Sequence, residues 1–318
     1  MTPLLRMLLQ RIGLALISLL LVSVVVFLIT AVLPGDAAEE LLGQDATPET
    51  LAALRLQMGL DQPLALRYLH WLGGLATGNP GRSLVSDATV MELIGNRLPN
   101  SLLLAAITAL IAVPVALLLG TLAAVFRGGW LDRLLNSGAV ALVSVPEFLI
   151  ATIAVLVLSV QLGWLPALSY ASDIDSLSGA GRVFVMPVLT LCCVTVAQMM
   201  RMTRAALADQ LDAPYIEMAR LKGVPPVRLV LRHAMPNAIG PIANAVALST
   251  SYLLGGVIIV ETIFHYPGVA KLMVDGVAQR DMPLVQTCTM IFCAGYLVLV
   301  LVADMIGVLA NPRLRSAR

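Results

Sequence analysis

Charge is scarce in this 318-residue sequence: Asp, Glu, Lys and Arg make up only 12% of it. Soluble domains carry about twice that share, roughly 25%. Hydrophobic residues reach 59%, and the mean hydropathy is +0.91. A chain so composed cannot cover a globular surface with polar groups, so it reads as an integral membrane protein. The formal net charge of +1 lacks the basic field that nucleic-acid binding requires, so no nucleic-acid partner is expected.

Metal-ligating and nucleophilic residues are also few. The three histidines, His70, His233 and His265, have no ligand partner at helical i, i+4 spacing. Four cysteines lie inside two apolar blocks, Cys192 with Cys193 and Cys288 with Cys293. They make neither a disulfide framework nor a C-x-x-C site and read as small buried hydrophobes. Met199, Met200 and Met202 resemble a soft-metal cluster, but neighbouring helical positions point in different directions. The sequence has no G-x-x-x-x-G-K-S/T phosphate loop, no H-E-x-x-H and no G-x-S-x-G. Neither ATP cradling by a phosphate loop nor catalysis by this chain is expected, and no metal site.

Six apolar blocks remain. Crossing about 30 Å of hydrocarbon takes about 20 helical residues. The blocks Ile12–Leu33, Leu98–Phe126, Leu135–Leu162, Val183–Met200, Asn237–Val260 and Leu284–Leu309 meet that length. The first follows Arg6 and Arg11, yet its apolar core exceeds the 7–15 residues of a secretory signal. It reads as a retained signal-anchor helix.

Basic residues set the orientation. With the N-terminus in the cytosol, 13 of the 20 Lys and Arg fall on the cytosolic side, while 13 of the 19 acids fall in outer loops. Six helices with both termini cytosolic satisfy this asymmetry. The chain reads as one transmembrane domain over 1–318, with no internal repeat and no low-complexity linker.

Two loops are long. The outer loop 34–97, Pro34–Arg97, reads as surface-lying helices: Thr47 before Pro48 and Glu49 starts one, and Gly59 stops it. The segment after Asp61 carries Tyr68 and Trp71 and suits the membrane interface. The inner loop 201–236, Arg201–Pro236, is basic. Within it Tyr215–Gly223 reads as a short helix closed by a left-handed glycine cap. Val224-Pro225-Pro226 breaks the chain, and Val227–Ala234 is helical again up to Pro236. A short helix held between two spans is a mechanical handle.

This loop resembles that of binding-protein-dependent ABC importer permeases, whose signature is Glu-Ala-Ala-x-x-x-Gly followed by Ile-x-Leu-Pro. Glu217, Ala219, Gly223 and Pro236 match with the spacing intact, whereas Met218, His233 and Met235 replace Ala, Ile and Leu. Leu231-Arg232-His233-Ala234 is similar to the peptide and nickel branch. So are Leu33-Pro34-Gly35-Asp36, Gly59-Leu60-Asp61-Gln62-Pro63-Leu64, Gly81-Arg82-Ser83 and Arg97-Leu98-Pro99. Glu261-Thr262-Ile263-Phe264, Tyr266-Pro267-Gly268 and Asn311-Pro312-Arg313 extend the likeness across nearly the whole chain. Asn311 stands where the family usually has Asp.

The resemblance implies an all-α integral membrane fold of the type I ABC importer permease class, with a cytosolic coupling helix over Ala213–Leu221. It implies residence in the bacterial cytoplasmic (inner) membrane, in contact with lipid. It implies three kinds of partner: a second homologous permease, two cytosolic ATPase subunits that carry ATP and Mg, and an extracytoplasmic substrate-binding protein. No cofactor is expected on this chain. Its role would be alternating access driven by those partners.

Candidate site residues follow. Ala213, Tyr215, Ile216, Glu217, Ala219, Arg220 and Gly223 form the ATPase-coupling set, with Glu217 at the interface or bracing its loop. The plain alternative for Glu217 is a solvated charge paired with Arg220 or Lys222, worth about 0–1 kcal/mol. Glu147 falls midway along the third span beside Pro146, where a carboxylate costs about 2.5–3.5 kcal/mol. Either it lines the pathway and meets an amino group or cation, or it is protonated or bonded to a neighbouring helix. Asp304, nearer the end of the sixth span, reads as a structural pair with Arg313. Asn237, Asn244 and Ser251 recur at seven-residue spacing, which fits a pore stripe and intersubunit glue equally, and the nearby glycines allow close helix approach. Tyr266, Pro267 and Gly268 make either a binding-protein contact or a plain turn.

The expected function is half of the translocation pathway of an ATP-driven importer, with di- or oligopeptides as the leading substrate class because the spans hold no ligand-spaced His or Met cluster. Nickel or a metal chelate is the alternative within the branch. A stand-alone six-helix secondary transporter competes from another class, although no repeated halves are visible. An intramembrane protease lacks its serine–histidine or paired-aspartate set, and an ABC exporter half would not need the Glu-x-Ala-x-x-x-Gly pattern.

Overall fold

The computed structural model describes residues 3–32, 42, 47–57, 61–169 and 177–310. In chain order the helices are α1 (Pro3–Val32), α2 (Pro48–Gln57), α3 (Leu64–Ala76), α4 (Val90–Val125) and α5 (Trp130–Ser144). They continue as α6 (Glu147–Ala154), α7 (Leu177–Leu211), α8 (Pro214–Leu221), α9 (Pro226–Arg228), α10 (Met235–Ile263), α11 (Val269–Ala278) and α12 (Met282–Ala310). Helix α6 widens into a π-helical stretch over Val155–Gln161, and α9 does so over Leu229–Ala234. Among the described residues the only β pairing is an isolated bridge between Arg82 and Thr89.

Five stretches are long and apolar enough to cross a membrane: Leu8–Ala31, Val90–Val125, Gly181–Leu211, Pro226–Ile263 and Met282–Ile306. The third expected span, Leu135–Leu162, is not continuous. It is the pair α5 and α6, bent by 96° at a break. Proline explains the break: Val145 (φ −91°, ψ 125°) and Pro146 (φ −60°, ψ 141°) are both extended. A residue before proline is pushed out of the helical region, and the proline nitrogen cannot donate. Six crossings result if the bent pair counts as one.

The structure packs as two compact units. One consists of Leu102–Tyr266 with Met1–Arg11 and Tyr296–Arg318; the other consists of Ile12–Ser101 and Pro267–Gly295.

In the first unit α7 and α10 pack along one another, and α4, α5 and α6 lie against them. One core cluster is built almost wholly of small or flexible residues: Ala116, Ala123, Ala139, Ala197, Met199 and Met200. Beside it Gly120 meets α7 so closely that a Cβ would stand 2.7 Å from Thr203 Cβ and 2.8 Å from the Met200 carbonyl oxygen. Lipid supplies no hydrophobic drive between helices, so close backbone approach through such small residues is what holds them.

The second unit binds the outer-loop helices. Phe27 of α1 packs edge-on against Tyr68 at 5.4 Å and stacks on Trp71 at 6.0 Å. The Tyr68 hydroxyl lies 2.9 Å from Ser23 Oγ. The apolar side of α3 that carries Tyr68 and Trp71 is therefore covered by α1. Thr47 caps α2 as expected, accepting from the Thr50 amide at 3.2 Å; Gly59 and the Leu33–Asp36 motif lie outside the described residues. Gln286 of α12 donates to Thr30 of α1 at 2.6 Å. The buried carboxylate of Asp281 accepts from the Ser83 hydroxyl and from the Leu84 amide.

Candidate coupling site

Local chemistry defines α8. Ala213 is extended ahead of Pro214, whose missing N–H is harmless at a first helical position. At the other end Gly223 adopts φ +77°; its amide bonds the Arg220 carbonyl at 2.9 Å, and the Val224 amide bonds Ala219 at 3.2 Å. These two bonds form a Schellman cap, and glycine enters the left-handed region without the cost other residues bear.

One side of α8 points inward. Ile216 is fully buried and joins Leu207 and Leu211 of α7, Leu229, Val230 and Ala234 of the π-helical stretch, and Ala238 and Ile242 of α10. Ala219 and Val224 pack against the same cluster. The other side is open. Tyr215, Met218 and Leu221 are 43%, 57% and 78% exposed, and Glu217 and Arg220 are exposed with them. Among the described residues the Glu217 carboxylate makes no hydrogen bond or ion pair. The expected coupling set thus splits: Ile216 and Ala219 hold the helix, while Tyr215, Glu217 and Arg220 present it.

Polar braces secure the surroundings. Tyr215 Oη lies 3.0 Å from Gln210 Oε1 of α7 and accepts from Asn237 Nδ2 of α10 at 3.0 Å. Arg127, after α4, pairs with Asp212, just before α8, at 2.8 Å. A cavity of about 480 Å³ opens beside this pair, lined among others by Arg127, Asp212, Arg220 and Leu229. Deeper, Asp132 of α5 accepts Arg204 Nε at 2.6 Å and Nη2 at 2.7 Å from α7. Asp132 also accepts from the Gly128 amide at 2.9 Å and from Asn136 at 2.6 Å. Sequence reasoning misses this pair; its only signals are an acid in the first turn of α5 and an arginine in a basic loop.

The polar groups of the spans fall differently from expectation. Glu147 is not in the middle of a straight span but in the first turn of α6, directly after the 96° bend. It is half-buried, and Gly256 of α10 lies against it: a Cβ there would stand 2.8 Å from Glu147 Oε2. No hydrogen-bond donor reaches the carboxylate among the described residues. Asn244 is exposed, whereas Ser251 is buried and donates to the Ala247 carbonyl at 3.0 Å. The seven-residue set does not share one environment, because Asn237 is engaged by Tyr215 and Ser251 by its own helix. Asp304 pairs with Arg11 at 2.7 Å; its expected partner, Arg313, lies outside the described residues.

At the far end of α10, Tyr266 and Gly268 are buried, Pro267 is half-buried and His265 is exposed with φ +51°. The Tyr266 ring packs on Phe184 at 5.7 Å. Burial, and then the charge of Glu261, push its phenol up from the ordinary range. The Ser169 amide donates to the Phe264 carbonyl at 2.8 Å. In the other unit Pro267 accepts from Asn100 at 2.8 Å, and the Val269 amide donates to Ser101 Oγ at 2.8 Å.

Helix α8 is thus braced into two spans by one side and bare on the other. Residues 116–316 match the family described as the binding-protein-dependent transport system inner membrane component. Residues 4–105 match the N-terminal membrane component of the same systems. The chain belongs to this family. It is a multi-pass inner-membrane permease subunit of a binding-protein-dependent ABC importer. It is 35% identical over 310 residues to a putative peptide transport system permease protein of Brucella abortus (strain 2308), covering 97% of this chain and 98% of that protein. It is 36% identical over 298 residues to the glutathione transport system permease protein GsiC of Escherichia coli (strain K12), covering 94% and 95%. Nothing in these relatives favours a stand-alone transporter. Membership of a binding-protein-dependent transport system implies a partner ATPase and a substrate-binding protein. Among its described residues no group of three His, Cys, Asp or Glu side chains could hold a metal ion.

Proposed function

We propose that this permease forms half of the translocation pathway of an importer for di- and oligopeptides, including glutathione-like peptides. A second homologous permease forms the other half. Two cytosolic ATPase subunits dock on α8, and an extracytoplasmic binding protein delivers the substrate. Both termini are cytosolic, so α8 lies on the ATPase side. ATP and Mg bind the ATPases, and this chain binds no cofactor.

One observation carries the reading: α8 exposes Tyr215, Met218 and Leu221 together with Glu217, which is unpaired among the described residues, while Ile216 anchors it to α7 and α10. Apolar side chains at three-residue spacing on a short exposed helix fit a groove in a partner. On the membrane side, Glu147, Asn244 and Ser251 are assigned to the pathway, with Glu147 the residue that meets a substrate amine. The turn at Tyr266, Pro267 and Gly268 serves the binding-protein side; with Tyr266 buried, Pro267 and the neighbouring His265 are the residues left to touch it. Peptide as substrate rests on the names of the relatives.

Gentle detergent purification of tagged chain, followed by mass spectrometry and uptake of labelled dipeptides and glutathione by reconstituted complex, tests the whole. A second permease, ATPase subunits and ATP-dependent peptide uptake are expected. A homo-oligomer without ATPase would overturn the importer assembly, and uptake of nickel alone would overturn the substrate.

A further inference from the structure

We infer that Tyr215 is a positioning residue: its hydroxyl ties the coupling helix to Asn237 at the start of α10 and to Gln210 near the end of α7. A displacement of α8 then reaches both membrane helices as one movement. This rests on the reading of α8 as the ATPase-docking helix, and it adds how the movement is passed on.

The covalent connections around α8 are compliant. Toward α10 the chain passes through Gly223 at φ +77° and extended Pro225, then a three-residue helix and a π-helical stretch. Proline offers no amide to stiffen that joint, and π-helical turns are rare interruptions of the regular ladder. Toward α7 the chain turns at Asp212 and Ala213, where Ala213 bonds Gln210 at 3.1 Å. Pushing on α8 through such joints would flex them before it moved a span.

Ile216 binds α8 to both spans, but apolar contact is non-directional and lets surfaces slide. Hydrogen bonds define position. A phenol has one donor and can accept, and both capacities of Tyr215 are used: it donates to Gln210 Oε1 and accepts from Asn237 Nδ2. Asn237 Nδ2 also donates to the His233 carbonyl at 3.3 Å, so the clasp includes the end of the π-helical stretch. The clasp therefore bypasses the flexible joint and links α8 directly to the first turn of α10. Tyr215 is 43% exposed, so surface remains for a partner while the hydroxyl is engaged within the chain.

The test separates hydroxyl from ring. Tyr215→Phe keeps the aromatic body and removes only the clasp. In reconstituted complex containing the ATPases, substrate transported per ATP hydrolysed should fall at least about fivefold, the factor expected from two modest hydrogen bonds. Asn237→Ala should cause a similar fall, and the double variant should fall no further than the deeper single one. An unchanged ratio in Tyr215→Phe, or fully additive losses in the double variant, would overturn the clasp while leaving ATPase docking intact. Wild-type chain that recruits no ATPase would instead overturn the docking reading, and this inference with it.

Discussion

Arg204 and Asp132 form a two-bond ion pair between α7 and the first turn of α5, with N–O distances of 2.6 and 2.7 Å. The Asp132 side chain is 5% exposed and that of Arg204 26%. The pair pins α5 where the chain leaves α4, close to the segment that carries α8. Removing one member strands a buried charge, which costs about 3–5 kcal/mol. Arg204→Ala should therefore lower the thermal unfolding midpoint in detergent sharply, and Asp132→Asn combined with Arg204→Met should lose much less. Equal losses in the two variants would mean that the charge on Asp132 is not sequestered. Lysine at 204 would not restore the pair, because a point charge cannot make both bonds of the planar fork.

Gly120 marks the closest crossing of α4 and α7. Its Cβ would stand within 3 Å of Thr203 and of the Met200 carbonyl, both parts of a packed helix. Gly120→Ala should cost about 1–3 kcal/mol through overpacking. Gly138→Ala in α5, with nothing within 4 Å, should be neutral or gain up to about 1 kcal/mol from helix propensity. Fluorescence-monitored unfolding of the two variants checks the contrast; a silent Gly120→Ala would show that the helices separate freely.

Gly223 meets no atom within 4 Å of a built Cβ, so its requirement is conformational. Gly223→Ala should cost about 1–2 kcal/mol locally, the price of a left-handed alanine. Uptake should fall modestly. Gly223→Pro cannot adopt φ +77° at all and should abolish uptake while the chain still inserts. Whole-cell uptake with membrane-fraction blots reads both; normal uptake by the proline variant would remove α8 from the coupling route.

Glu147 presses on Gly256 with no donor in reach among the described residues. Glu147→Gln keeps the volume and removes the charge. If the carboxylate meets a substrate amine, KM for a free-amine dipeptide should rise about tenfold with little change in the amount of assembled complex. Unchanged uptake kinetics would return Glu147 to a packing role beside α10.

Much of this molecule is legible in sequence order. The apolar blocks follow from transfer free energy summed over neighbouring residues. Pro214 and Gly223 bound α8 because φ preferences are local, and Thr47 starts α2 for the same reason. The Glu217–Pro236 spacing carries the likeness to the family, and residues 116–316 match that family. Even the break of the third block has a local cause in Val145-Pro146, although hydropathy averaged over a window conceals it.

Other features have no local signal. Asp132 and Arg204 lie 72 residues apart, and several arginines in the basic loop could equally have taken the partner's place. Asp304 finds Arg11 at the opposite end of the chain. Asn237, Asn244 and Ser251 share a spacing, yet one is clasped, one is exposed and one bonds its own helix. Composition and backbone preference act between chain neighbours, so the helices, their caps and the handle between two spans follow from residue order alone. Which charge meets which, and which side of α8 or α10 is covered, depends on the angle and depth at which helices cross. Those are set by close packing among residues far apart in the chain, and there the tertiary structure decides.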